Sequence, residues 1–159
     1  MAVNDDVRVE VFSTADHGVE LIRALNPDLQ LKLYYDPRTD DRWSSCSDTP
    51  VADTEAPDVI QWLAYRTLDV EPNQETATLI DPVVARFVAD GWTLGMESKG
   101  NGGRSVNVKR DGYTVNVGGD TEADPNRDAS IGIRVYSPCI KAPANIRAWK
   151  PTGTPSPSQ

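Results

Sequence analysis

Apolar positions along this chain keep two kinds of spacing, and the stretch from Asp81 to Cys139 shows both. Val83, Val84, Phe87 and Val88 fall on one side of a 3.6-residue period, with Arg86 and Asp90 off it. Asp81 stands where an N-cap carboxylate can accept from free backbone N–H groups, and Pro82 takes the first helical position, where no N–H is needed. Gly91 suits the left-handed residue just past a helix end. The pattern predicts a short helix up to Asp90. Trp92, Leu94 and Met96 then alternate with Thr93, Gly95 and Glu97, which is strand spacing.

Asp111-Gly112 predicts a two-residue type I′ turn, because both central residues need positive φ. Closing that turn sets Arg110 opposite Tyr113, Val108 opposite Val115 and Val106 opposite Val117. Turn chemistry alone therefore matches apolar to apolar, which supports a hairpin in this register. In the last predicted strand, Ser130 to Tyr136, Ile131, Ile133 and Val135 share one face, and Cys139 continues that parity.

Earlier in the chain the periods are less decisive. Val7, Val9 and Val11 alternate like a strand, yet Val7, Val11, Ala15, Gly18, Ile22 and Leu25 also form a helical stripe. Length favours a helix over residues 4–26, ended by Asn26-Pro27, with a strand followed by a helix as the rival. Leu29, Leu31, Leu33 and Tyr35 predict a half-buried strand that Asp36-Pro37 stops. Arg38 to Pro57 reads as a long polar loop holding Cys46. Ile60, Trp62, Ala64, Leu68 and Val70 then share a strand face with Arg66 as the exception, although Val59, Ile60, Leu63 and Thr67 also group helically. Pro72 ends the segment in either case. From Ala142 to Gln159 the Pro/Ser/Thr-rich sequence predicts a mobile tail, so the domain is expected to span residues 1–141.

Together these elements predict an α+β domain, with two helices packed on one face of a mostly antiparallel sheet of five or six strands. The chain has 159 residues, enough for one domain with a real core. Its net charge of −8 and scattered Lys and Arg argue against nucleic acid as a partner. No apolar run reaches membrane-spanning length. No signal peptide is visible either, but Met1-Ala2 followed by Val-Asn-Asp-Asp has the look of a trimmed start, which leaves export open.

Cys46 and Cys139 fit either two unrelated thiols or one disulfide. No Cys-x-x-Cys or Cys/His grouping points to metal or redox chemistry. The preferred reading is a disulfide formed in an oxidising compartment.

With these pieces placed, the chain resembles the LppA-like lipoproteins of mycobacteria and other actinobacteria. The likeness rests on an early helix leading to Tyr35-Asp36-Pro37, the loop Cys46-Ser-Asp-Thr-Pro-Val51, the helix end Ala-Asp-Gly-Trp92, and Tyr136-Ser-Pro-Cys139 before a Pro/Thr/Ser tail. It covers about residues 10 to 140. The resemblance implies secretion, a lipid anchor on a lipobox cysteine that this sequence does not contain, and a position at the cell membrane or surface. It carries over no functional residues.

Candidate chemistry is sparse. Asp120, Glu122, Asp124, Asn126 and Asp128 alternate in a way that resembles a calcium loop, but Pro125 stands at the turn-glycine position and Ile131 at that of the bidentate Glu. A solvated acidic loop is the simpler reading, and no metal or other cofactor is expected. Gly100-Asn-Gly-Gly-Arg104 lies between strands rather than before a helix, so it reads as a hairpin loop and not a phosphate cradle. His17 is the single histidine, with Ser13 one helical turn before it and no nucleophile elbow around it. Trp62 and Trp92 fit core faces. Trp43 and Trp149 read as exposed anchors, with packing of Trp43 on the disulfide as the alternative.

The reading that results is a non-catalytic cell-envelope lipoprotein domain that binds or scaffolds an envelope protein, glycan or lipid. A small extracytoplasmic hydrolase using His17 and nearby carboxylates is the rival. The sheet face away from the helices presents Asn107, Lys109, Thr114, Asn116 and Arg134, which reads as flat and polar. The expected binding residues are therefore Trp43, Asp120, Glu122 and Asp124.

Overall fold

A computed structural model describes residues 4–46, 56–126 and 128–156. The first element is one long helix, α1 (Asn4–Leu25), and not a strand followed by a helix. Val7, Val11, Ala15 and Ile22 are buried along its stripe, whereas Val9, which a strand would place beside them, is 58% exposed. Asn26 ends it by donating from Nδ2 to the Ile22 carbonyl at 2.8 Å.

Strand β1 (Gln30–Tyr34) follows, and Asp36-Pro37 stops it as expected. The same step starts a one-turn helix, α2 (Pro37–Asp40). Asp36 caps it by accepting from the Arg38 N–H, and Pro37 occupies N1. Strand β2 (Asp41–Ser45) comes next, so the first part of the loop expected over 38–57 is helix and strand up to Ser45. Residues 47–55, which include most of the Cys46–Val51 motif, lie outside the described residues.

The central element is β3 (Val59–Glu71), a strand whose alternate residues from Ile60 to Val70 are all buried. On one side it pairs antiparallel with two short strands in succession: β1 against 67–71 and β2 against 60–64. Helix α2 takes up the slack between them, opposite Tyr65 and Arg66. On the other side it pairs with β7 (Ala129–Tyr136) and then β8 (Ile140–Lys141).

The remaining strands are β4 (Thr93–Gly100), β5 (Gly103–Arg110) and β6 (Tyr113–Asp120). The sheet runs β1-β3-β7-β6-β5-β4, with β2 and β8 also on β3, eight strands in all among the described residues. Two strands form beyond the upper figure of six expected. Both are short pieces laid along β3, too brief to leave a period of their own.

The hairpin register is the expected one, with Arg110↔Tyr113, Val108↔Val115 and Val106↔Val117. Asp111 and Gly112 have φ of 52° and 84°. Helix α3 (Ile80–Ala89) starts two residues earlier than the Pro82 signal suggested, because a 3₁₀ turn at Thr76–Leu79 leads straight into it. Asp81 is therefore a first-turn residue rather than the N-cap, and its carboxylate bonds Arg104 on β5. Gly91 takes the left-handed conformation past the helix end, with Gly91 N–H on the Val88 carbonyl.

Helices α1 and α3 cover one face of the sheet, where Val106, Val108, Val115, Val117, Ile131, Ile133 and Val135 are buried. Trp92 belongs to that core, but Leu94 and Met96 are 61% and 74% exposed. Strand β4 is the sheet edge, and its register shifts between Leu94 and Glu97. The alternation there marked a strand without marking a buried face. The core is tight where the 3₁₀ turn crosses β6: a Cβ on Gly119 would stand 2.9 Å from the Thr76 carbonyl group. Thr76 is fully buried, accepting from the Asp120 N–H and donating to the Ser130 carbonyl. Gly119→Ala is expected to lower stability by about 1–3 kcal/mol, read as a lower denaturant midpoint at unchanged slope.

Cys46 and Cys139 form the disulfide, with 6.2 Å between Cα atoms. Cys46 follows β2 and Cys139 lies between β7 and β8, so the bond ties together the two flanks of β3. Next to it, the Trp62 N–H donates to Ser137 Oγ and the Ser137 N–H to the Trp62 carbonyl.

Composition suggested a mobile tail from Ala142, but the structure lays residues 142–156 against the domain. Ile146 is buried, and Trp149 packs on Trp62 at 4.9 Å and near Phe12. Further on, the Ser156 N–H donates to the Tyr35 carbonyl and the Tyr35 N–H to Ser156 Oγ.

Candidate functional site

With α1 and α3 on one face, no helix among the described residues covers the other face of the sheet, and that face is not flat. A groove of about 670 Å³ crosses it, running from β4 over β5, β6 and β7 to β3. Its cause is a row of small residues in register, Ser98↔Ser105↔Gly118↔Gly132↔Thr67. Side chains two residues away along each strand rise on the same face as walls. One wall is the row Asn107, Asn116, Arg134 and Tyr65. The other holds Asp120, Ser130 and the β4–β5 turn at Asn101.

The first wall is internally braced. Asn116 Nδ2 donates to Asn107 Oδ1 at 2.6 Å. The Arg134 guanidinium stacks on the Tyr65 ring, 4.6 Å from its centroid. Tyr65 in turn leans over Gly132, where an added Cβ would come within 3.0 Å of its ring. On the second wall, the Asp120 carboxylate accepts from the Ser130 N–H. At the β4 end Arg104 bonds both Glu97 and Asp81. These bonds from Arg104, followed by Lys99, hold the Glu97 carboxyl below its usual range.

The residues expected to bind are not brought together. Trp43 lies on β2 rather than on a loop, directly opposite Trp62 and on the helix-facing side of the sheet. It is partly buried against the core, with Arg147 over its ring at 5.6 Å. Asp120 does line the groove, whereas Glu122 and Asp124 lie beyond it in the β6–β7 loop. The Trp43 and acidic-loop ends of β3 are separated by seven residues, about 23 Å.

Within the acidic loop, Asp124 accepts from the Asn126 N–H, and its backbone carbonyl accepts from Asn73. Asp128 faces Asp69 instead, whose carboxyl is raised first by burial and then by that neighbour. Among the described residues, no three side chains of metal-binding type gather. Arg127 lies outside them. The glycine-rich stretch is the expected hairpin turn, with Asn101 and Gly102 both at positive φ.

His17 is exposed on α1, edge-on to Phe87, and Ser13 donates to the Glu10 carbonyl of its own helix. Both sit on the layer opposite the groove.

A second polar cluster was not foreseen. Arg66 points into the core and is 4% exposed. Its guanidinium bonds Asp41 at 2.7 Å, Asp16 at 3.0 Å and the Tyr65 carbonyl at 2.9 Å. The Tyr35 hydroxyl donates to Asp41, and the Tyr35 ring stacks under the guanidinium. Burial, then the Asp41 bond, push the Tyr35 phenol well above its usual range. The signal was present: Arg66 broke an otherwise apolar strand face. Its carboxylate partners come from α1 and from β2, a strand within a stretch whose sequence signals a loop.

No family model matches the chain, and no curated protein matches it significantly. Among solved structures it is similar to the crystal structure of the "putative lipoprotein LppA from Mycobacterium tuberculosis". The two are 15% identical, the similarity covers 88% of this chain and 79% of that one, and the TM-score is 0.48.

Proposed function

We propose that this protein is a non-catalytic binding domain of the cell envelope, and that its ligand sits in the groove on the sheet face opposite the helices. The groove carries the proposal. It is a recess wide enough for a ligand, with a floor of small residues and a wall of side chains already held by one another. The disulfide supports an oxidising, extracytoplasmic setting. The resemblance to lipoproteins stated from the sequence supports a lipid anchor, and no helix among the described residues is long and apolar enough to cross a membrane. The hydrolase reading gains nothing from His17, which is exposed and on the far layer from the groove.

The test is a ¹⁵N-labelled sample titrated with cell-wall polysaccharide fragments, phospholipid bicelles and soluble envelope peptides. Amide shifts should cluster on 98–105, 116–120 and 130–134. Shifts centred on Trp43 and β2, or on the helices, would overturn the groove as the site.

A further inference from the structure

The groove's dimensions and lining narrow its ligand. Five strands at about 4.8 Å spacing make it roughly 19 Å long, and Asn116 and Asp120, four residues apart on β6, set its walls about 13 Å apart. That shape suits an extended chain and not a compact cofactor. Among the described residues the lining is made of hydroxyls, carboxamides, backbone and the charged side chains Lys99, Arg104, Asp120 and Arg134, with the Tyr65 ring as its one aromatic surface. Such a lining offers nothing to a lipid tail. It also has no pockets for the alternate apolar side chains of an extended peptide, which would in any case pair at a sheet edge.

Hydrogen-bonding groups converge on the floor. Asn116 Oδ1 overhangs Gly118, 3.8 Å from where a Cβ would stand, and Ser105 flanks the same point. These are complements for a chain of hydroxyl groups. Its cations differ in their partners: Lys99 is paired with Glu97, and Arg104 with Glu97 and Asp81. Arg134 forms no ion pair with a carboxylate among the described residues and presents its guanidinium at one wall, whereas Asp120 lies at the other. In a chain of net charge −8, a groove that exposes an arginine beside carboxamides is built for a carboxylate-bearing partner that a plain surface here would repel.

Resting on the groove reading above, we infer that the ligand is an acidic oligosaccharide. Its carboxylate is taken by Arg134 beside Asn116, and its hydroxyls run over Ser105 and Gly118 toward Asp120.

Two variants and two probes test this. Trigalacturonate should bind, and maltotriose should bind at least about 10-fold more weakly, the worth of a charge-assisted hydrogen bond. Arg134→Gln should remove that difference by weakening the acidic probe alone, and added salt should do the same. Gly118→Phe should abolish binding of both, because its side chain fills the floor. Gly118 has ordinary extended backbone, and a Cβ there meets Ser105 only at contact distance, 3.5 Å. Unchanged melting of both variants would confirm that the fold is intact.

Equal binding of the two probes with no effect of Arg134→Gln would overturn the acidic assignment. So would groove amides that respond to a lipid or peptide and to neither saccharide. In both cases the groove itself stands as the site. Trigalacturonate binding that survives Gly118→Phe would overturn the location as well.

Discussion

Arg66→Met is expected to destabilise the protein by about 3–5 kcal/mol, the typical loss when one partner of a buried ion pair is removed. The reason lies with Asp41. Its side chain is 5% exposed, against 66% for Asp16, so water can compensate Asp16 and not Asp41. Methionine fills much of the volume over the Tyr35 ring but leaves the Asp41 carboxylate, among the described residues, with the Tyr35 hydroxyl as its one side-chain donor. A second substitution should reverse most of the loss. In Arg66→Met/Asp41→Leu no buried charge is orphaned, and apolar replacements of whole buried pairs are often neutral. The check is a double-mutant cycle by urea denaturation, in which the pair should show strong coupling. If the two single losses simply add, the cluster is not the coupled unit its geometry describes.

Removing the disulfide is expected to cost up to about 4–5 kcal/mol, since the bond closes a loop with a sequence separation of 93. Cys46→Ser/Cys139→Ser should melt well below the parent protein, and reduction of the parent should bring it to the same point. The intact protein should weigh two hydrogens less than its dithiol form. Free thiols at both positions in folded, oxidised protein would remove the bond and the extracytoplasmic argument with it. Full stability after reduction would mean that the unfolded chain is already compact between these residues.

The parts of the fold legible in the sequence were those set by local chemistry. Asp111-Gly112 has few ways to turn, so the register of β5 on β6 followed from two residues. The stripe on α1 and the alternation in β7 were strong enough to show which face is buried. The groove was not legible, although all its residues lay in plain view. Gly118 and Gly132 meet only through the pairing of β6 with β7, and that register depends on the β6–β7 loop, where no short turn fixes it. Without the register, Asn107, Asn116 and Arg134 read as a polar surface rather than a wall. Trp43 was misplaced for a related reason: β2 is five residues of mixed polarity whose strand character comes from lying along β3. The docking of the tail rests on Ile146, Trp149 and Ser156, three contacts dispersed through a stretch whose composition signals disorder.

The bond across the flanks of β3 also makes the molecule mechanically short. Pulled from its two ends, the oxidised chain can lengthen only outside the 93-residue span between Cys46 and Cys139, out of 159 residues in all. Fully stretched, that is roughly 220–240 Å, against roughly 520–570 Å for the reduced chain at 3.3–3.6 Å per residue. The span shielded from tension runs from β3 to β7 and contains every strand beneath the groove. A load applied at the termini could peel away α1, β1, β2 and the C-terminal segment. The strands carrying the groove would bear no direct pull.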